Sequence, residues 1–216
     1  MSAPPPTAAA HRGLRRFRAP APPPPERCEL CGIELAGRHR HLVDTRNRGL
    51  ACACPPCALL FERAGAAGGQ FRTVPDRFLS DSDHRLDDAV WDRLRIPVGV
   101  AFLLDNTALG RAVALYPSPA GATESELEPS AWQAVHDATR LAGLLAPDVE
   151  ALLLRRTEDR IECHLIPVDL AYELTGRLRM LWRGFDGGAE ARAALADFFA
   201  DVARRAREPH EEARRP

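Results

Sequence analysis

Ile96, Val98, Val100, Phe102 and Leu104 alternate at period two, and after Asp105 and Asn106 a second apolar run follows from Arg111 to Tyr116, which predicts a β-hairpin. Pro117-Ser-Pro-Ala-Gly121 ends it, and Pro129 opens a helix whose Trp132, Val135, Leu141, Ala142 and Leu145 lie near one face, stopped by Pro147. Val149 to Arg155 and Arg160 to Pro167 flank Thr157-Glu-Asp159 and predict a second hairpin. Asp169 can cap a helix carrying Leu170, Leu174, Leu178 and Leu181, which Gly184, Gly187 and Gly188 end. A last helix presents Leu195, Phe198, Phe199 and Val202 at helical spacing.

The order ββα-ββα-α over residues 71–207 predicts an α+β domain, with an antiparallel four-stranded sheet covered by helices on one face. Preceding it, residues 28–62 contain few aliphatic side chains and five of the six cysteines, so this stretch reads as a separate cysteine-rich module joined through the Gly/Ala segment 64–69. Residues 1–27 are rich in proline, alanine and arginine and lack the apolar side chains that folding would bury; they and residues 208–216 read as disordered tails.

Composition refines this picture. With 45% hydrophobic and 27% charged residues the chain is of ordinary globular character, and no run reaches the roughly 20 apolar residues of a membrane helix. No signal peptide is evident, since Arg15-Arg16 is followed by Phe17, Arg18 and prolines rather than by an apolar stretch. A cytoplasmic protein is the expectation, in which cysteines serve as thiols or metal ligands more often than as disulfides. The net charge is −1, and every one of the 29 basic residues is an arginine. The absence of lysine excludes Schiff-base chemistry on the chain and the lysine of a phosphate-binding loop.

The chemistry is concentrated in Cys28-Glu-Leu-Cys31-Gly32, His39-Arg-His41 and Cys52-Ala-Cys54-Pro-Pro-Cys57. Two C-x-x-C pairs separated by a loop match a four-thiolate tetrahedral site, each pair clamping the metal from one tight turn. Gly32 suits the first turn because it tolerates positive φ and leaves backbone N–H groups free to point at sulfur. The expected ligands are Cys28, Cys31, Cys54 and Cys57, with Cys52, His39 and His41 as additional candidates. Zinc in a structural, zinc-ribbon-like site is the first expectation; iron in a rubredoxin-like site and a dithiol role for Cys54-Pro-Pro-Cys57 are alternatives.

Arg38, Arg40, Arg46 and Arg48 surround the histidines and could make a basic loop. The module carries four charges of each sign and Phe61 as its single aromatic residue, which argues against nucleic acid and leaves a zinc-ribbon regulator gripping it through the arginine-rich tail as the weaker alternative. Cys163-His164 invites a catalytic dyad, but neighbours on a strand face opposite ways: Cys163 belongs with Ile161 and Leu165 in the core, and His164 points away from it. Asp81, Asp83, Asp87 and Asp88 read as a solvated acidic run. No G-x-S-x-G, G-x-G-x-x-G or H-E-x-x-H occurs, and a non-catalytic protein is expected.

These motifs, together with Val74-Pro-Asp-Arg77, Ile96-Pro-Val98, Tyr116-Pro-Ser-Pro-Ala-Gly121 with Thr123-Glu-Ser125, Pro147-Asp-Val-Glu-Ala-Leu152 and Trp182-Arg-Gly184, resemble a family of uncharacterised bacterial proteins. The family is met mainly in actinobacteria, near genes for [NiFe] hydrogenase subunits and maturation factors. The resemblance covers about residues 27 to 205 and implies an accessory role in assembling or supporting a hydrogenase, with a hydrogenase subunit or maturation factor as partner. It brings no catalytic residue. The chain departs from the family at Pro167-Val-Asp169 with Leu170-Ala171-Tyr172, where Pro-Ile-Asp followed by Cys-Tyr is expected, so Ala171 lacks a thiol.

Overall fold

The two period-two hairpins become strands, but the sheet they build is larger than four strands. The structure, a computed structural model, describes residues 25–63, 65–184 and 187–209. The tails expected at 1–27 and 208–216 lie almost wholly outside them.

Three strands form a small antiparallel sheet in the order β2-β1-β3: β1 (Arg40–Asp44), β2 (Gly49–Ala53) and β3 (Phe71–Thr73). A short helix α1 (Pro55–Leu59) follows β2, with Pro55 in its first turn, where no N–H is needed. β3 lies beyond the Gly/Ala segment yet pairs with β1, so the small sheet draws its third strand from downstream of that segment.

The main sheet has six antiparallel strands in the order β4-β9-β8-β5-β6-β7. They are β4 (Leu79–Ser80), β5 (Val100–Asn106), β6 (Arg111–Ser118), β7 (Gly121–Ser125), β8 (Glu150–Arg156) and β9 (Ile161–Pro167). The two expected hairpins supply the four central strands. The expectation of four is corrected by the edges: β4 pairs with β9, and β7 folds back on β6 where the sequence reading ended the hairpin. Pro117 sits inside β6 without loss because its partner is Ala122 of β7, while the ladder with β5 ends at Leu115. At the other end, Pro97 and Gly99 delay β5 until Val100, leaving Ile96 and Val98 packed against the sheet but outside the ladder.

Helices cover both faces, not one. Val100, Phe102, Leu104, Ala151, Leu153 and Ile166 point to α5 (Val168–Leu181) and α6 (Gly188–Arg205). Ala101, Leu103, Leu152, Leu154, Cys163 and Leu165 point to α2 (Asp88–Arg93), α3 (Pro129–Ala138) and α4 (Arg140–Leu144). The physical reason is visible in Val100–Leu104 of β5 and Ala151–Leu154 of β8, which are buried at every position: strands covered on both sides are continuously apolar rather than alternating. The helix expected from Pro129 to Leu145 is broken at Thr139, which takes an extended conformation; its hydroxyl accepts the Leu141 N–H at 3.3 Å and donates to Asp81 at 2.9 Å.

That contact corrects the reading of the acidic run. Asp81 is 2% exposed and receives the Arg140 guanidinium at 2.6 Å, the Arg140 N–H and the Thr139 hydroxyl. Burial works against its charged form, but these hydrogen bonds outweigh it and hold the carboxyl below its usual range. Asp87 caps α2 by accepting the Val90 N–H. Asp83 and Asp88 remain exposed. Helix α5 starts at Val168 after Pro167, so Asp169 lies in its first turn instead of at the cap.

Candidate metal centre

The first knuckle is a tight turn. Cys28 N–H donates to Ile33 O and Gly32 N–H to Cys28 O, both at 2.8 Å, and Gly32 adopts φ +76°, the left-handed conformation its position called for. The second knuckle is the entry to α1, where Cys54 is the N-cap and Ala58 N–H closes the turn on Cys54 O. A backbone bond from Glu29 N–H to Cys52 O, together with Glu29 Oε1 accepting the Cys52 N–H, ties the two knuckles together.

The sulfurs of Cys28, Cys31, Cys54 and Cys57 all lie within 4.8 Å of one another, and Cys31 Sγ to Cys54 Sγ is 3.7 Å. With Zn–S bonds of about 2.3 Å, the edge of a tetrahedron of sulfurs is roughly 3.8 Å, so the observed spacing already approaches that of a four-thiolate zinc site. Cys28 and Cys54 are buried with Leu42, Ala53 and Ala58 beneath them, whereas Cys31 is exposed. The donors therefore fit a metal held at the rim of a small apolar cluster.

The electrostatics point the same way. Backbone N–H groups, that of Cys54 first and then those of Cys31 and Leu30, bond the Cys28 sulfur and bring its thiol down to about 6 against the effect of burial. Cys57, whose sulfur contacts Cys54, is pushed up to about 12. Thiols this close oppose one another's ionisation, and a cation in their midst would favour the thiolate form of each.

The remaining candidate ligands are grouped elsewhere. His39, His41 and Cys52 place one donor atom each within 4.8 Å of one another, as a second cluster separate from the four sulfurs. The sequence names the four cysteines first and offers Cys52, His39 and His41 only as further candidates for the same centre. Strand parity separates them: His41 pairs directly with Cys52 across β1 and β2, while Leu42, on the opposite face, packs toward the four-cysteine site. Asp169, read from the sequence only as a helix cap, accepts a hydrogen bond from His41 Nδ1 at 2.8 Å and raises the imidazole pKa. A contact spanning 128 residues leaves no local signal in the chain.

The surrounding arginines do not form a free basic loop. Arg46 bonds Asp44, Arg48 reaches Glu124 at 3.6 Å, Arg38 reaches Asp76 at 3.7 Å and Arg40 reaches Glu62 at 3.9 Å. Cys163 is buried, its thiol pushed up to about 12 by burial, and it contacts Thr139. His164 does point to the opposite face, but α6 covers that face and the imidazole packs against Phe199 at 6.1 Å between ring centres.

Fold and site together define an α+β protein in which a four-cysteine knuckle module is docked on a helix-covered six-stranded antiparallel sheet. The chain belongs to the family of unknown function DUF5947, whose family model matches residues 27–206. No curated protein and no solved structure matches it. No described helix is long and apolar enough to cross a membrane.

Proposed function

We propose that the chain is a non-catalytic metal-binding accessory protein in which Cys28, Cys31, Cys54 and Cys57 hold a structural zinc ion. The observation that carries this reading is the convergence of four sulfurs within 4.8 Å over a cluster too small to order the module by burial alone. The buried, high-pKa thiol of Cys163, with His164 turned to the other face, supports a non-catalytic role. Following the resemblance described above, the client is a [NiFe] hydrogenase subunit or maturation factor, bound through the cysteine module.

Two experiments test the reading. Elemental analysis of anaerobically purified protein should find zinc, and Cys28→Ser should lower it by one equivalent per chain. A coloured, iron-bearing protein would overturn zinc in favour of the rubredoxin-like alternative. Affinity purification from a host expressing the neighbouring genes should recover a hydrogenase component; recovery of none, with unaltered hydrogenase activity in a deletion strain, would dismiss the client.

A further inference from the structure

On the β1–β2 hairpin the residues alternate between two faces. One face carries Leu42 and Ala53 toward the four-cysteine site. The other carries His41 and Cys52 as a directly opposed pair, with Val43 and Leu50 as the next pair, and these two enter or border the core built with α5. His39, two residues before His41, joins the same side, and its ring lies 4.8 Å from that of His41. The two histidines of the second cluster therefore face the large domain and line a cavity of about 650 Å³ with Pro167, Asp169 and Glu173 among others, while Cys52 stands behind them, outside its lining.

Both imidazoles are fixed through Nδ1. His41 Nδ1 bonds Asp169 Oδ2 at 2.8 Å, and His39 Nδ1 lies 3.1 Å from Ala36 O. In each ring this leaves Nε2 as the ligating nitrogen, held by the carboxylate–histidine and carbonyl–histidine arrangement that orients metal-bound imidazoles. The His39 side chain is only 7% exposed, and its Nε2 has no hydrogen-bond partner. A buried nitrogen left in this state costs free energy that a ligand at the site removes. Cys52 Sγ lies within 4.8 Å of a ring nitrogen of each histidine, and the Cys52 backbone N–H is fixed by Glu29.

We propose that His39 Nε2, His41 Nε2 and Cys52 Sγ form a second metal site, separate from the four-cysteine centre, that takes a divalent zinc-class cation with its fourth position open to the cavity. Two nitrogens and one thiolate are a borderline-soft donor set suited to such an ion. Three protein ligands with an accessible fourth position distinguish an exchangeable or ligand-binding site from a closed structural one. Asp169 is the positioning residue: it holds the His41 ring and leaves the metal itself to the three donors.

Cobalt(II) and zinc titrations of the full chain test this site. The wild type should bind two equivalents, with two distinct cobalt spectra, one of four-thiolate character and one carrying a single thiolate-to-cobalt transition. Cys52→Ala and His39→Gln should each bind one equivalent and keep the four-thiolate spectrum, which also reports that the module is folded. Asp169→Asn should keep two equivalents but weaken the second by about 10- to 100-fold. Cys28→Ser, in contrast, should lose the four-thiolate spectrum, so failure of one site is distinguishable from failure of the other. A wild-type chain that binds only one equivalent, or a Cys52→Ala chain that still binds two, would overturn the proposal.

Discussion

Stripping the four-cysteine centre should unfold its knuckles while the six-stranded sheet stays folded. The apolar cluster beneath the sulfurs contains one fully buried large side chain, Leu42, with Ala53 and Ala58. Burying one leucine contributes about 1.5–3 kcal/mol, whereas a structural zinc contributes about 10–16 kcal/mol of folding energy. With zinc bound as proposed, the knuckle hydrogen bonds, Cys28 N–H to Ile33 O, Gly32 N–H to Cys28 O and Ala58 N–H to Cys54 O, would be held closed mainly by the metal. If even a third of that energy, about 4 kcal/mol, resides in local closure, chelation should speed exchange of these amides about a thousandfold. Amide hydrogen exchange resolved by segment, on loaded and chelated protein, measures this directly. The amides of Leu152 to Leu154 in β8, which lie in the doubly covered core, should be unaffected. Equal protection of the Cys28, Gly32 and Ala58 amides in both states would refute the reasoning.

Two further outcomes are expected in the large domain. Glu150 is fully buried and held by Arg77 through two bonds at 2.8 and 2.6 Å, so Arg77→Met should destabilise the protein by about 3–5 kcal/mol in urea unfolding, and adding Glu150→Gln should recover part of it; a loss below 1 kcal/mol would be inconsistent with a paired buried charge. Burial depresses the His164 pKa, so the folded chain resists a proton that the unfolded chain accepts below about pH 6.5; stability should fall as pH drops through that value, and His164→Phe should flatten the slope in urea midpoints measured from pH 7 to 5.

The parts of the fold that were legible in the chain are those whose signals are local. The two central hairpins, the α5 and α6 stripes and the left-handed turn at Gly32 follow from spacing and residue type alone. The edges were not legible, because Leu79–Ser80 and Gly121–Ser125 are short and their strand identity comes from the partners they add to. Coverage on the second face was there to be read: Ala101 and Leu103 lie between the alternating residues of β5, and a run apolar at every position from Val100 to Leu104 has no solvent side. Asp81 was misread for the opposite reason. Its burial depends on Arg140, 59 residues away, and a run of aspartates shows no local sign of such a partner.

The candidate site shows the same division, and its remaining ambiguity is one of parity. Cys52 and Cys54 belong to the same two-residue repeat, but β2 ends at Ala53 and Cys54 caps α1, so only Cys52 keeps a strand's orientation. The hairpin is therefore a partition: its Leu42–Ala51 pair faces the four sulfurs and its His41–Cys52 pair faces Asp169. Exchanging Ala51 and Cys52, as the double variant Ala51→Cys/Cys52→Ala, shifts the thiol by one position and hence to the opposite face. Composition, charge and the number of cysteines are unchanged. Such a chain should keep the four-thiolate cobalt spectrum and lose the second equivalent of metal. Retention of both equivalents would mean that the thiol reaches the histidines from either face, and the partition would then fail.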